Sequence, residues 1–209
     1  MIGIDVIYCA KKYKELSDKL YDIIKNKNHI FVIAIGGLSR SGKTTLARFL
    51  CEHLLNKGIN TKVINLDNWL LSKDQRTDSM TVRERYRYED IKRDISLLLE
   101  GKEIIMSFYD PYSQKIQEAA QFSLEGSACI IVEGVVSLDI EYLVETSDVK
   151  IYISLDEDIR RKRYFDFYRW KDISENDIEL LYNKRKLDEI QIVTATERKA
   201  DIIINNYYN

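Results

Sequence analysis

Residues 37–44, Gly-Leu-Ser-Arg-Ser-Gly-Lys-Thr, have the spacing G-x-x-x-x-G-K-[ST]. Glycines at both ends let a backbone bend until successive N–H groups converge on an anion, and a lysine adds a full positive charge. The spacing predicts a phosphate-binding loop in which Gly37, Ser39, Arg40, Ser41, Gly42, Lys43, Thr44 and Thr45 face the phosphates of a nucleotide. Lys43 would reach the β- and γ-phosphates and count among the catalytic groups, while the Thr44 hydroxyl would hold a magnesium ion. Two acids at the ends of other apolar runs complete the candidate chemistry. Glu133 follows 129-CIIV-132, where a carboxylate would reach the metal through its water shell or would only start a loop at Gly134. Asp67 follows 63-VINL-66, and near a γ-phosphate it suits a general base that accepts the proton of an attacking hydroxyl. Asp67 could also cap a short helix beginning at Asn68, and the two roles can coexist.

These residues need elements that bring them to one edge. The apolar runs FVIAI, TKVINLD, ACIIVEG, DVKIYISL and ADIIIN read as strands, and helical spacing runs between them. Tyr13, Leu16, Leu20, Ile23 and Ile24 share one helical face within 12–27; Leu46, Phe49, Leu50 and Leu54 share another within Lys43–Asn56, ended by Gly58. Ile91, Ile95, Leu98 and Leu99 mark a helix over 88–99, and two more helices span about 157–170 and 174–190. EIIMSFYD reads as a strand or one arm of a hairpin. The alternation predicts an α/β three-layer sandwich of the P-loop NTPase kind, with a central parallel sheet of about five strands and helices on both faces. Ligands of such a sheet gather at the carboxyl ends of its strands, where Asp67 and Glu133 lie.

Composition narrows the function. The 209 residues carry 32 Lys+Arg against 34 Asp+Glu, so no general attraction to nucleic acid or anionic membrane is expected. No window approaches the roughly 18 apolar residues of a membrane span, and the N-terminus does not look like a signal peptide. Cys9, Cys51 and Cys129 sit in apolar contexts and read as reduced core thiols of a cytoplasmic protein. His53, between Leu50 and Leu54, reads as packed or half-exposed, and His29 has no partner nearby in the chain. A guanine-specifying N-K-x-D is absent, since 183-NKRK-186 ends in Lys, and Asp67-Asn-Trp-Leu70 does not supply D-x-x-G. Glu133 is followed by Gly134 rather than the second acid usual in ATPase motors. A small-molecule kinase therefore fits better than a GTPase or motor, and the rival from another class is a nucleotide-dependent switch with no acceptor.

GGLSRSGKTTLA, VINLDNWLL, RERYRYEDI, SFYDPYS, IIVEGV, a late basic helix and RKADIII stand in an order that resembles the uridine kinase and phosphoribulokinase family, over about residues 30–204. The resemblance implies ATP as donor, magnesium as cofactor and a small-molecule hydroxyl as acceptor, on one kinase domain spanning 1–209. An N-terminal helical extension (1–29) and a lid-like helical segment (about 157–192) belong to it. It implies that Asp67 is the base and that Tyr109 and Asp110 match the Tyr-Asp pair beside the nucleoside. Gln114 stands where uridine kinases have His, and the Asp-His-Pro segment before residue 90 is missing, so an acceptor other than uridine is open. Within 160-RRKRYFDFYRWK-171, Arg163 and then Arg160 are the candidates for a lid contact with phosphate; the other reading is an exposed charged face with aromatics packed inward. The resemblance also suggests 194-TATERKA-200 as the loop holding the purine. Oligomeric state is not set by these patterns.

Overall fold

The computed structural model describes residues 4–77, 79–113, 115–117 and 119–206, with side chains from residue 11 onward. In chain order the elements are α1 (Ile4–Ile24), β1 (Phe31–Gly36), α2 (Lys43–Asn56), β2 (Thr61–Asn65), α3 (Tyr88–Leu99), β3 (Ile104–Met106) and β4 (Tyr109–Asp110). They continue with β5 (Lys115–Ile116), β6 (Ala120–Phe122), β7 (Cys129–Glu133), α4 (Glu141–Thr146), β8 (Val149–Ser154), α5 (Glu157–Arg169), α6 (Glu175–Thr194) and β9 (Ile202–Asn205).

Five strands form a sheet in the order β2-β7-β1-β8-β9, and every pairing in it is parallel. Its strands are apolar on both faces because both faces are covered. Along β1, Phe31, Ile33 and Ile35 pack under α1 and α2 with Leu20, Leu46 and Leu50, whereas Val32 joins the opposite cluster with Ile91, Ile95 and Leu98 of α3. The alternation of β geometry sends one continuous apolar run into two cores. Two small antiparallel pairs, β3 with β6 and β4 with β5, stand apart from the main sheet.

The expected helices over 43–56 and 88–99 form with those bounds. Gly58, at φ 85°, takes the left-handed turn that ends α2. Ile23, expected on the inner face of α1, is instead 45% exposed, because Leu20 and Ile24 already fill the stripe that faces α2. α5 and α6 hold a separate cluster of Tyr164, Phe165, Tyr168, Ile178 and Tyr182. No helix among the described residues is long and apolar enough to cross a membrane.

Candidate active site

The loop 37–42 joins β1 to α2 at the strand where the sheet's connections diverge, with β7 on one side and β8 on the other. Crevices form at such switch points, beyond the carboxyl ends of the strands. Gly37 has φ 138° and Gly42 φ 107°, and a Cβ on Gly37 would stand 2.5 Å from the Ile153 carbonyl oxygen, so only glycine fits. Asn206, just past β9, donates from Nδ2 to the Ser41 carbonyl at 2.7 Å and ties the loop to the sheet edge. The buried hydroxyls of Ser39 and Ser41 make no hydrogen bond among the described residues. Orphaned buried hydroxyls beside converging backbone amides are what an oxyanion would satisfy, so the loop fits a phosphate chain.

Lys43 opens α2, is 7% exposed and donates to the Leu38 carbonyl at 2.9 Å. Burial draws its pKa down, against the opposing pull of Glu133, Glu189 and Asp67. The Thr44 hydroxyl donates to Glu133 Oε1 at 2.9 Å, which joins the start of α2 to the end of β7. Glu133 is 2% exposed, and burial raises its pKa despite the nearby Lys43. One hydroxyl and one carboxylate are hard oxygen donors that suit magnesium, which keeps several waters of its own.

Asp67 is set by the turn after β2. The Asn65 side chain accepts from the Asp67 N–H at 2.8 Å and caps the short 3₁₀ turn Leu66–Trp69. Asn65 is therefore the cap, which corrects the expectation that Asp67 serves as one; the Asp67 carboxylate is released for other contacts. Its Oδ1 accepts from the Tyr86 hydroxyl at 2.8 Å, while its Oδ2 makes no hydrogen bond among the described residues. Burial, together with the Asp67 charge, pushes the Tyr86 phenol well above its ordinary pKa, so at neutral pH it donates its proton to Asp67. Tyr86 is held by a β-bridge to Leu70 and by the Arg87 N–H bonded to the Trp69 carbonyl.

Lys43, Thr44, Asp67, Glu133 and Tyr86 line one cavity of about 370 Å³. Tyr109 lines it too; its N–H is fixed by Asn68 Oδ1 at 3.0 Å and its hydroxyl accepts from Arg76 at 3.1 Å. Asp110, expected beside the substrate, does not line this cavity; its carboxylate accepts from the N–H groups of Tyr112 and Ser113 and builds the turn after β4. Gln114 lies outside the described residues. Thr45 is exposed, one residue beyond the cavity lining.

The lid candidates divide. Arg163 reaches the Arg40 carbonyl at 3.4 Å and so lies against the phosphate-binding loop. Arg160 does not: it is 2% exposed, its guanidinium forks onto Glu157 and meets the Tyr182 hydroxyl, and it holds α5 to α6 instead. Where phosphate contact was expected of Arg160, its donors face inward within the helix pair. His29 also has a partner: its ring lies 2.9 Å from Asp148, a residue 119 positions away that sequence proximity could not reveal.

Sequence reasoning missed Tyr86, Arg185 and Glu189. Glu189 of α6, 3% exposed, accepts from the Ser39 N–H at 2.5 Å, so a carboxylate occupies one donor of the phosphate-binding loop. The tyrosine- and arginine-rich segment around Tyr86 was conspicuous, but nothing local tied it to Asp67, and Glu189 stands 150 residues from Ser39.

Comparison with known proteins accords with this geometry. The model of the phosphoribulokinase / uridine kinase family matches residues 32–208. A uridine kinase of Limosilactobacillus reuteri is 30% identical over 203 residues, covering 87% of this chain and 85% of that protein. A uridine kinase of Halobacterium salinarum is 29% identical over 187 residues, covering 83% of this chain and 79% of its own. The solved structure of a possible uridine kinase from Bacillus stearothermophilus shares the fold, with TM-score 0.65 and 23% identity over 92% of this chain and 99% of that one. With a phosphate-binding loop, paired Thr44 and Glu133 and a family match across nearly all of the sheet, the chain belongs to the phosphoribulokinase / uridine kinase family and is an ATP-dependent small-molecule kinase.

Proposed function

We propose that the protein transfers the γ-phosphoryl group of MgATP to a hydroxyl of a small metabolite, with Asp67 as general base. The observation that carries this reading is the Asp67 carboxylate in the same cavity as Lys43 and Thr44, one oxygen held by Tyr86 and the other left toward the acceptor. The loop amides 40–44, the hydroxyls of Ser39 and Ser41, and Lys43 receive the β- and γ-phosphates, and Arg163 adds charge from α5. Thr44 and Glu133 would hold magnesium, which would supply positive charge against that of the phosphates. Tyr86 fixes the rotamer of Asp67 so that Oδ2 can take the hydroxyl proton as the oxygen attacks the γ-phosphorus in line. Tyr109 orients the acceptor.

The L. reuteri and H. salinarum relatives are named for uridine, and a nucleoside or related sugar or alcohol is the acceptor class that their likeness supports. Magnesium-dependent ADP release with a panel of hydroxyl acceptors tests the reading. Stimulation by an acceptor, lost by roughly 10²- to 10⁴-fold in Asp67→Asn with ADP affinity preserved, is the expected result. Slow release indifferent to every acceptor and to Asp67→Asn would replace it with a nucleotide switch.

A further inference from the structure

Tyr86 fixes the Asp67 carboxylate, yet the stretch that carries it, residues 79–87, is made of turns and one β-bridge rather than helix or sheet. Two acids from other elements hold that stretch. Asp188 of α6 accepts from the Val82 N–H at 2.7 Å through Oδ1 and pairs with the Arg85 guanidinium through Oδ2. Arg85 also donates to the Met80 carbonyl at 2.8 Å, which closes the turn on itself. Asp139, between β7 and α4, takes the forked guanidinium of Arg83 and the Tyr88 hydroxyl, each contact at 2.7 Å. Residues 82, 83, 85 and 88 are thus held on either side of Tyr86.

The hold through α6 is the one closest to the chemistry. Arg85 and Asp188 are each 15% exposed, and Val82, Arg85 and Tyr86 all line the cavity that contains Asp67. A shielded pair of this kind fixes direction, whereas an exposed pair such as Arg161 with Glu179, at 47% and 43%, contributes about 1 kcal/mol or less. Glu189, next to Asp188 in the chain, accepts from the Ser39 N–H of the phosphate-binding loop. Successive helical residues point about 100° apart, so one turn of α6 reaches that loop with one carboxylate and the Tyr86 stretch with the other.

We propose that Asp188 is a positioning residue for the phosphoryl transfer: it acts through Tyr86, holding residues 82–87 so that the phenol meets Asp67 Oδ1 and Oδ2 stays directed at the acceptor. This rests on the kinase reading and on no particular acceptor. Without Asp188, Arg85 loses its carboxylate and the Val82 N–H its acceptor, and the turn that aims Tyr86 is left with its own internal bonds. Asp67 then keeps its place after β2, through Asn65, and loses its direction.

The test measures magnesium-dependent ADP release with uridine, cytidine, ribose and glycerol as acceptors, in wild type, Asp188→Ala, Asp188→Asn, Tyr86→Phe and the double variant Asp188→Ala/Tyr86→Phe. With the acceptor that stimulates release, Asp188→Ala should lower kcat by about tenfold, as Tyr86→Phe does, and leave the KM of ATP within about twofold. The double variant should match Tyr86→Phe within about twofold, because a residue that acts through another adds nothing once that one is gone. Asp188→Asn keeps an acceptor for the Val82 N–H and drops the charge opposite Arg85; it should fall between wild type and Asp188→Ala, and it serves where the alanine variant does not fold. Amide exchange gives a readout without turnover: the N–H groups of Val82 and Arg87 should exchange roughly tenfold faster in Asp188→Ala, with those of β1 and β7 unchanged. Wild-type kcat in both Asp188 variants, with release still dependent on acceptor and on Asp67, would leave the kinase standing and overturn the positioning role. Losses that multiply in the double variant, or a rise in the KM of ATP with kcat unchanged, would overturn it likewise. ADP release indifferent to all acceptors and to Asp67→Asn would overturn the kinase reading and this proposal together.

Discussion

At the scale of single residues, the site is organised by hydrogen bonds that leave particular atoms available. Asn65 takes the capping position in the turn 66–69, so the Asp67 carboxylate is not consumed by its own backbone. Tyr86 takes one of its oxygens and fixes its direction. Tyr86→Phe should therefore lower kcat by about tenfold, the scale of one lost hydrogen bond to a charged group, while the KM of ATP stays constant. An equal rise in both KM values without a fall in kcat would count against a positioning role. Lys171 carries a pH prediction. Burial, with Arg40 and Arg185 pushing and Asp110 pulling the other way, draws its ammonium down to about 8, and the rings of Phe167 and Tyr168 flank it. The group is charged below that pH and neutral above it. Because Lys171 shares the Phe167 ring with Arg40 of the phosphate-binding loop, the KM of ATP should climb as pH rises through 8, and in Lys171→Arg that climb should disappear, since a guanidinium stays protonated.

Elements place these residues and also set them against one another. β1 and α2 bound the phosphate-binding loop, β7 delivers Glu133, and α6 lays Glu189 on the Ser39 N–H at 2.5 Å. That carboxylate competes with phosphate for the same donor. Glu189→Gln should tighten ADP binding about tenfold, the low end of the roughly 1.5–3 kcal/mol that a charged hydrogen bond contributes, and its loss also frees Arg185 and Lys43 from an opposing charge. Calorimetric titration of ADP decides it, and weaker binding would mean that Glu189 instead holds the loop in its receptive shape. The packing of Tyr164, Tyr168 and Tyr182 between α5 and α6 lets that pair act as one piece against the loop, with Arg160 and Glu157 as its internal clasp.

For the whole molecule, the sheet separates stability from chemistry. Its two faces bury separate clusters, and the site lies beyond the strand ends, where no core residue is required. Ile131, fully buried in the middle of β7, should be costly to truncate: Ile131→Ala is expected to lower stability by about 2–5 kcal/mol, read from the denaturant midpoint. Both KM values should stay close to wild type in the folded fraction. A large change in the KM of ATP would show that strain in β7 reaches Glu133.

Much of this was legible in one dimension because its causes are local. The loop 37–44 announces itself by the residue types that a tight, amide-lined turn demands, and apolar periodicity marks helices 43–56 and 88–99 through the faces they bury. Asp67 and Glu133 could be singled out because a parallel sheet collects ligands at its carboxyl edge, whichever strands are neighbours. Sequence by itself thus determined the order of the five sheet strands and the longer helices and marked the phosphate-binding loop, whereas the short α4, β5 and β6 hold too few residues to show a period. Tertiary structure alone decided which distant groups meet them. Tyr86 on Asp67, Glu189 on Ser39, His29 beside Asp148, and the gathering of Arg76, Lys171 and Arg185 in one cavity depend on the strand order and on how α6 crosses the loop. Those pairings carry no periodicity of their own, because a hydrogen bond between residues far apart constrains their separation in space and leaves their spacing along the chain unconstrained.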